Sequence, residues 1–230
     1  MTTILVVDDD PSIMKTVSAG LAARAFDVVG ARSGGDALEI LVRSSVDVVL
    51  LDLGLPDIDG IDVVRRIRNQ SGVPIIVLSA DGSDTRKVLA LELGADDYVT
   101  KPFSMAELVA RVRVAVRHGE MVSGDGPVLS VITVGDLELD LARHRCTVGG
   151  RLVDLTPKEF SLLTVLARRP GRLVAHRMLL QEVWGHVYSS ETHYLRVYVS
   201  QLRKKIGDAP TTPRITSESG VGYRMELSTS

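Results

Sequence analysis

Polar side chains able to do chemistry stand at the ends of four short apolar runs in this sequence. An acidic triplet, residues 8–10, follows the first run, Asp52 ends the second, Ser79 ends the third, and Lys101 comes just after the fourth. Runs of this kind are typical of strands buried on both faces of a parallel sheet. Because parallel strands end at the same edge of their sheet, carboxylates, a hydroxyl and an ammonium are expected to converge there.

A cluster of carboxylates at that edge predicts a bound cation, because like charges repel one another unless a cation joins them. Mg²⁺ suits the site, since it takes one or two carboxylates together with water and phosphate oxygens. A phosphoryl group on Asp52 would then be neutralised by Mg²⁺ and Lys101, and Ser79 could donate a hydrogen bond to it. Taken alone, Asp52 could also be a turn residue or only a metal ligand, because the turn residues Pro56, Asp57 and Gly60 follow it.

The elements that must position these residues alternate between strand and helix signals over the first half of the chain. Helices are indicated by apolar residues at helical spacing, and the last one reaches about Arg117. The predicted strands are Ile4–Val7, Asp27–Ala31, Val48–Asp52, Ile75–Ser79 and Tyr98–Thr100. The pattern predicts an α/β fold, a doubly wound, five-stranded parallel sheet with right-handed crossovers. The glycine-rich residues 118–126 that follow are typical of a flexible linker.

The second half of the chain has a different pattern, which predicts an α+β unit. Four short strands separated by Gly and Asp turns indicate an antiparallel sheet, with a tight hairpin at residues 149–150. A first helix begins after Thr156, where a cap, a proline and the glutamate of a capping box follow in order. A second helix starts at about His176, and its start is weakly specified because Ala175 has no side-chain acceptor. A hairpin around Gly220 closes the unit.

A third helix, spanning about Glu191–Ile206, carries a basic face. Leucine, valine and isoleucine at helical spacing form one buried stripe, and no acid occurs between Glu191 and Asp208. A charged helical face is usually only solvated, but an acid-free face that offers Arg and Ser also fits a major groove of DNA. The residues predicted to contact DNA are His193, Arg196, Val197, Ser200, Arg203, Lys204 and, on the closing hairpin, Arg224.

Length, charge and composition limit the classes of protein. The 230 residues suffice for two domains, and the net charge of −2 hides an asymmetry: residues 1–120 hold 13 basic and 18 acidic residues, whereas residues 121–230 hold 14 and 11. The more basic half is the candidate for an anionic partner. One cysteine, Cys146, excludes an intramolecular disulfide framework. No run has the length of a membrane helix, so we expect a soluble, cytoplasmic protein that binds no membrane.

In order and spacing, the motifs of residues 3–117 resemble a response-regulator receiver domain, which has a flavodoxin/CheY-like fold. They are an acidic pair, LDLGLPDIDG around Asp52, VLSA with Ser79, and YVTKPF with Tyr98 and Lys101. The resemblance implies that a sensor histidine kinase phosphorylates Asp52 and that Lys101 pairs with the phosphate. Ser79 and Tyr98 would form a switch pair. In the Mg²⁺ site implied by the resemblance, Asp9, Asp52 and the carbonyl of Gly54 are the protein ligands, and Asp8 supports the metal through water.

Residues 130–227 resemble the winged-helix effector of the OmpR/PhoB response regulators through the motifs LTPKEFSLL, LLQEVWG, LRVYVSQLRKKI and GVGYR. The resemblance implies a transcription factor that binds promoter DNA, contacts RNA polymerase through the loop at 185–190 and forms a homodimer when phosphorylated. The residues implied at the dimer interface are Lys87, Asp96, Asp97, Glu107 and Arg111. The ion pairs there would join Lys87 to Glu107 and Asp97 to Arg111.

The two resemblances together imply three segments: a receiver at residues 1–118, a flexible linker at 119–128 and the effector at 129–230. Within the family, the motifs LDLGLPDIDG, HYLRVYVSQLR and GVGYR most resemble a regulator of potassium-uptake genes. The resemblance therefore implies control of potassium-transport genes. The alternative is a response regulator of the same family that controls a different set of genes.

Two other classes of protein share parts of this pattern. Phosphohydrolases that form an aspartyl-phosphate also place acids and a lysine at strand ends, but they need a second aspartate two residues after the nucleophile, where Gly54 stands. A constitutive DNA-binding protein with a vestigial receiver would not need the complete set of acids, Ser79 and Lys101. We therefore expect no enzymatic activity beyond the receiver's own Mg²⁺-dependent phosphorylation and dephosphorylation.

Overall fold

The structure, a computed structural model, describes residues 2–120, 131–185, 188, 191–207 and 209–227, with the backbone alone for 117–120. The chain divides into two units, Met1–Gly119 and Glu120–Ser230. The linker predicted at 119–128 lies outside the described residues from 121 onward. Within the described ranges, no helix combines the length and the apolar character needed to cross a membrane.

The first unit is the predicted doubly wound parallel sheet. Its strands lie in the order β2-β1-β3-β4-β5, and every neighbouring pair is parallel. The elements are β1 (Thr3–Val7), α1 (Pro11–Ala22), β2 (Asp27–Ala31), α2 (Gly34–Arg43), β3 (Val48–Asp52), α3 (Gly60–Arg68), β4 (Ile75–Ser79), α4 (Asp84–Glu92), β5 (Asp97–Thr100) and α5 (Met105–Glu120). The last helix therefore extends three residues beyond its predicted end at Arg117.

Continuous apolar strands form the middle of this sheet. All residues of β3 and β4 are buried, and successive side chains of a strand point to opposite faces. On one face, Ile4, Leu50 and Ile76 pack against Leu21 of α1 and Leu108 of α5. Burial on both faces explains why these strands are unbroken apolar runs in the sequence rather than alternating ones.

The order of the strands creates a topological switch point between β1 and β3. The chain leaves β1 for β2 on one side and returns to β3 on the other side. In open α/β sheets, ligands bind in the crevice outside the carboxyl ends of the strands at such a point. Asp8 follows β1 and Asp52 ends β3, so these two carboxylates flank the crevice.

The second unit combines two antiparallel sheets with helices, as the α+β prediction requires. Its elements are β6 (Val131–Val134), β7 (Leu137–Asp140), β8 (Arg145–Val148), β9 (Arg151–Val153), α6 (Pro157–Ala167), β10 (Leu173–Ala175), α7 (His176–Val183), α8 (Thr192–Ile206), β11 (Arg214–Glu218) and β12 (Gly222–Glu226). The predicted capping box is confirmed, because Thr156 and Glu159 each accept a hydrogen bond from the other's amide. Ala175 caps α7 without a side-chain hydrogen bond, also as predicted.

Strand β10 could not be predicted from the sequence. It has only three residues, which is too short for an alternating pattern, and its partner β12 lies far along the chain. The three-stranded sheet has the order β10-β12-β11, so β12 is central rather than one arm of an isolated hairpin. Gly222 permits the pairing, because a Cβ at this position would collide with the Val174 carbonyl.

An ion pair between Arg68 and Asp96 joins three segments at the amino ends of β4 and β5. Arg68 Nη2 bonds to Asp96 Oδ2, Arg68 Nε donates to the Gly94 carbonyl (2.6 Å), and Asp96 Oδ2 also accepts from the Ile75 amide (2.9 Å). The two side chains are 10% and 3% exposed. This placement corrects the prediction of Asp96 as a dimer-interface residue, because its carboxylate is buried and bonded to Arg68.

We predict that Asp96→Ala destabilises the receiver unit by about 3–5 kcal/mol, because it leaves the Arg68 guanidinium buried without its counter-charge. The matched control is Asp62→Ala, which breaks an exposed pair with Arg65 on the same helix and should cost at most about 1 kcal/mol. Urea unfolding followed by circular dichroism measures both losses. Equally small losses in the two variants would contradict the role assigned to Asp96.

Candidate functional site

Lys101 joins the carboxyl ends of β1 and β3. Its Nζ lies 2.7 Å from Asp8 Oδ2 and 3.0 Å from Asp52 Oδ1. Asp8 is fully buried and Asp52 is 9% exposed. Burial, the largest single influence, lowers the pKa of Lys101, but hydrogen bonds to and charges on Asp8 and Asp52 outweigh it, so the pKa is raised overall. The structure therefore brings the predicted lysine together with two of the predicted acids.

Asp9 completes a group of carboxylates that can hold a metal ion. One oxygen from each of Asp8, Asp9 and Asp52 lies within 4.8 Å of the others. Asp8 Oδ1 accepts from the Asp10 amide (3.0 Å) and Asp8 Oδ2 accepts from Lys101, so the protein itself orients this carboxylate. Oxygen ligands at this spacing fit a hard cation such as Mg²⁺.

The β3–α3 loop, residues 53–59, runs close to the Asp52 carboxylate. A Cβ added to Gly54 would lie 3.2 Å from Asp52 Oδ2, so the backbone whose carbonyl is a predicted metal ligand is beside the acid cluster. A Cβ added to Gly60 would lie 2.5 Å from Leu53 Cα and 2.7 Å from the Asp52 carbonyl oxygen. Glycine at position 60 therefore allows α3 to begin directly against the end of β3.

Asp57, in the same loop, makes contacts that the sequence pattern does not reveal. Its Oδ1 accepts from the Gly34 amide (2.9 Å) and its Oδ2 from the Gly35 amide (2.8 Å), at the start of α2. In the sequence, Asp57 follows Pro56 and is interpreted only as a turn residue. The signal that could have indicated the contact is the Gly34-Gly35 pair after the N-cap Ser33, because glycine lets another segment approach a helix start closely.

Ser79 and Tyr98, the predicted switch pair, both contact Asp81. Ser79 Oγ accepts from the Asp81 amide (3.1 Å), and the Tyr98 hydroxyl donates to the Asp81 carbonyl (2.6 Å). The Tyr98 side chain lies inside the unit, where burial raises the pKa of its hydroxyl. Asp81 Oδ1 accepts from the amide of Ser83, the N-cap of α4 (2.8 Å), so both predicted switch residues are connected to the start of that helix.

Several residues predicted at a dimer interface are paired within the chain. Arg111 Nη1 lies 3.1 Å from Asp97 Oδ1, and Arg111 Nη2 lies 2.8 Å from Glu107 Oε1. Asp97 and Arg111 are both buried. Asp97 and Arg111, predicted as an ion pair at the dimer interface, are bonded to each other within one copy, and Glu107 is bonded to Arg111 rather than to Lys87. A Lys87–Glu107 pair between two copies stays a prediction.

On α8, the residues predicted to contact DNA are divided between the surface and the interior. Arg196, Arg203 and Lys204 are exposed, and His193 and Ser200 are half-buried. Val197 is 5% exposed and belongs to the core of the unit, which corrects its prediction as a DNA contact. Its burial follows from the packing of α8 against α6, α7 and β11, which covers more of the helix than one apolar stripe.

Three adjacent cations at the end of α8 differ in their partners. Arg203 Nε donates to the Ile215 carbonyl (2.8 Å), which holds the guanidinium against β11. Lys205 Nζ lies 2.6 Å from Glu159 Oε2, a buried carboxylate. A cleft of about 700 Å³ is lined by Arg203, Lys204, Ile206, Gly207, Arg214, Ile215, Thr216 and Ser217. Arg203 and Lys204 therefore border a basic cleft, whereas Lys205 neutralises an interior acid.

Arg224 lies on the central strand β12, on the opposite face from the buried Tyr223 and Met225. It pairs with Glu218 (3.6 Å) and Glu226 (3.7 Å). A DNA contact by Arg224 stays a prediction, and these two carboxylates would compete with a DNA phosphate for its guanidinium.

Two family models match the chain. Residues 4–113 match the response regulator receiver domain, and residues 150–225 match the model described as transcriptional regulatory protein, C terminal. The chain is 46% identical to the transcriptional regulatory protein KdpE of Mycobacterium tuberculosis, over 98% of this chain and 100% of that protein. It is 43% identical to the DNA-binding response regulator MtrA of Mycolicibacterium smegmatis, over 96% of this chain and 95% of that protein.

A solved structure is similar over the same length. The response regulator DrrB of Thermotoga maritima, an OmpR/PhoB homolog, has a TM-score of 0.52 and 33% identity, and the match covers 98% of this chain and 99% of that one. Receiver domains of the matched type bind Mg²⁺ at an acidic pocket, and Asp8, Asp9 and Asp52 form an acidic cluster of this kind. The matches therefore agree with both resemblances that the sequence motifs indicate.

Proposed function

This chain belongs to the OmpR/PhoB family of two-component response regulators, and from that premise we propose that phosphorylation of Asp52 controls its binding to promoter DNA. A receiver implies a sensor kinase as its partner, and the second unit implies promoter DNA as its ligand. The observation that carries the proposal is the convergence of Asp8, Asp52 and Lys101 at the switch point of the sheet.

The chemistry proposed at Asp52 is the transfer of a phosphoryl group from a phosphohistidine of the kinase. A carboxylate oxygen of Asp52 attacks the phosphorus, a P–O bond forms, and the P–N bond to the histidine breaks. When bound, Mg²⁺ supplies positive charge to the oxygens of the phosphoryl group. Lys101, 3.0 Å from Asp52 Oδ1, is placed to neutralise one of these oxygens. We propose no enzymatic activity beyond this phosphoryl transfer to Asp52 and the hydrolysis that later removes the phosphoryl group as inorganic phosphate.

Ser79 is the residue proposed to sense the phosphoryl group. Its Oγ accepts from the Asp81 amide, and its O–H would donate to a phosphoryl oxygen and draw Ser79 toward Asp52. This movement would break the bond from the Asp81 amide and shift residues 80–83, which precede α4. Tyr98, whose hydroxyl donates to the Asp81 carbonyl, would follow into the space that Ser79 vacates. A local change of charge at Asp52 thus alters the face built from α4, β5 and α5.

That face is proposed to pair two receivers about a two-fold axis, so that each copy contributes the same surface. Leu89 of α4 is 43% exposed and supplies apolar area beside the charged residues. Lys87 of one copy can pair with Glu107 of the other, while Arg111 can keep its bond to Asp97. Exposed ion pairs contribute little singly, so several must act together.

The second unit is proposed to place α8 in the major groove of promoter DNA, and two units would read repeated half-sites. Contact with RNA polymerase is proposed through the loop at 185–190, of which only Gly185 and Tyr188 lie among the described residues. The 46% identity to KdpE, together with the motifs LDLGLPDIDG and HYLRVYVSQLR, supports potassium-transport genes as the target. Sequencing of genomic fragments bound by the activated protein identifies the target genes directly.

We predict that Asp52 is the only phosphoacceptor, because Lys101 and the acid cluster converge on it. Incubated with acetyl phosphate and Mg²⁺, the wild-type chain should gain one phosphoryl group by intact-protein mass spectrometry, and Asp52→Ala should gain none. Asp47→Ala, which removes an exposed carboxylate bonded to the Thr3 amide, should be labelled like the wild type. Labelling of Asp52→Ala at the wild-type level would refute the assignment.

We predict that two receivers dimerise when a phosphoryl group, or a mimic of it, occupies Asp52. Beryllofluoride with Mg²⁺, which mimics a phosphoryl group on Asp52, should convert the monomer to a dimer in sedimentation velocity. Lys87→Ala should weaken the dimer by up to about 30-fold, because the two-fold axis repeats the pair and each of the two exposed pairs is worth at most about 1 kcal/mol. Lys15→Ala, which removes an exposed cation from α1, should have no effect. Identical sedimentation with and without beryllofluoride would count against the proposal.

Arg196 and Arg203 are predicted to contact DNA in different ways. Arg196 lies in the N-terminal half of α8, which usually enters the groove, so Arg196→Ala should cost about 1–3 kcal/mol on operator DNA and relax specificity at one position. Arg203 is held at the edge of the basic cleft, so Arg203→Ala should weaken all DNA about equally and lower the salt slope by roughly 1.

Titrations of both variants against selected operator and scrambled duplex, at several salt concentrations, separate the two roles. Arg143→Ala removes an equal charge from the turn between β7 and β8 and serves as the control. A uniform loss for Arg196→Ala on both duplexes would show that it binds phosphate instead. Wild-type binding by both variants would mean that α8 does not enter DNA.

A further inference from the structure

The carboxylate of Asp57 ties the loop after the phosphoacceptor strand to a different element of the sheet. Its two oxygens accept from the Gly34 amide (2.9 Å) and the Gly35 amide (2.8 Å), the first two residues of α2. These N–H groups have no partner within their own helix, because the first four amides of any α-helix lack one. A negative charge at this end is also favoured by the helix dipole.

The bonds act on the charged form of Asp57. Hydrogen bonds from the Gly35 and Gly34 amides, in that order of size, lower the pKa of the Asp57 carboxyl below its usual value. A carboxylate that accepts from two backbone amides is held in one orientation, because each oxygen has a separate donor. Asp57 is therefore fixed to α2 throughout the neutral pH range.

The helix does not need Asp57 in order to begin. Ser33 is already its N-cap, and Ser33 Oγ accepts from the Asp36 amide (3.1 Å). The contribution of Asp57 is additional to that cap and comes from a loop 22 and 23 positions away in the chain. Because α2 is already capped by Ser33, we expect the contacts of Asp57 to matter mainly for the position of the β3–α3 loop.

Glycine at positions 34 and 35 makes the approach possible. A Cβ on Gly34 would lie 2.7 Å from Val63 Cγ2 of α3 and 3.3 Å from Ile58 Cβ of the loop, and a Cβ on Gly35 would lie 3.3 Å from Asp57 Oδ2. The start of α2 is therefore packed closely against both α3 and the β3–α3 loop. The loop therefore supplies the acceptor, the Asp57 carboxylate, and the start of α2 supplies two residues without side chains, Gly34 and Gly35.

The far end of the same loop is held independently. The Gly60 amide donates to the Leu53 carbonyl (3.3 Å), and Asp59 caps α3 by accepting from the Ile61 amide (2.9 Å). Between these points the loop passes beside the Asp52 carboxylate at Gly54. Asp57 is thus the side chain that anchors the middle of the loop to a neighbouring element.

We propose that Asp57 is a positioning residue for the metal site: by binding α2, it holds the β3–α3 loop so that the backbone of Gly54 stays beside the acid cluster, where its carbonyl can serve as a ligand. The proposal rests on the Mg²⁺ site of the proposed function. Asp57 itself is not one of the carboxylates that would hold the ion. It acts as supporting residues do in other metal sites, where their loss typically reduces metal affinity by about 10–100-fold.

The test compares Asp57→Asn with Asp59→Asn in the full chain. Both variants remove one carboxylate charge from the same loop, but asparagine caps a helix as well as aspartate, so Asp59→Asn keeps its function. In Asp57→Asn, an amide N–H₂ faces one of the glycine amides, and that bond is lost. Isothermal titration with Mg²⁺ should show a Kd raised about tenfold for Asp57→Asn and nearly unchanged for Asp59→Asn.

Hydrogen exchange of the metal-free proteins separates this proposal from the Mg²⁺ site on which it rests. Asp57→Asn should increase amide exchange at residues 53–55 as well as at Gly34 and Gly35, whereas Asp59→Asn should not. Wild-type exchange at 53–55 in Asp57→Asn, or an unchanged Mg²⁺ Kd, would overturn the positioning role. Failure of the wild-type chain to bind Mg²⁺ would instead refute the metal site, and with it the positioning role.

Discussion

Lys101 lies between two carboxylates, of which Asp8 is fully buried and Asp52 is nearly so. These acids end neighbouring strands, and without a cation they would repel each other where little water can screen them. The ammonium bonds to both, at 2.7 and 3.0 Å. We propose that the rest of the receiver depends on this balance of charge, because a metal cation and an incoming phosphoryl group would both change it.

The sheet makes such a balance possible by fixing where the charges are. Strands β1, β3 and β4 are buried on both faces, so their ends cannot shift to relieve repulsion. The segments that can respond are the loops beyond those ends. In the loop between β4 and α4, Asp81 is hydrogen-bonded to Ser79, to Tyr98 and to the amide of Ser83 at the start of α4. Asp57 anchors another loop to α2.

The features that the sequence predicted well are those that depend on strand direction alone. Asp52, Ser79 and Lys101 each follow an apolar run, and parallel strands necessarily bring such ends to one edge. The caps at Thr156 and Ala175 were also predictable, because capping depends on residues that are neighbours in the chain.

The features that escaped prediction depend on contacts between distant segments. Asp96 lies inside because of Arg68, a partner 28 positions away that the sequence pattern did not indicate. Val197 is buried because α8 packs against α6, α7 and β11. The apolar pattern of a single helix predicts one buried face and does not show how many elements cover that helix. Strand β10 and the Asp57 contact likewise depend on partners that lie far away in the sequence.

The central claim is that occupation of Asp52 in one unit changes DNA binding by the other. The most direct test is the affinity of the full chain for DNA selected by the activated protein, measured with and without beryllofluoride in the presence of Mg²⁺. The account predicts that beryllofluoride tightens binding by about 5–150-fold, the usual range of coupling between two sites, and leaves Asp52→Ala unchanged. Equal affinity of the wild-type chain in both conditions would contradict it.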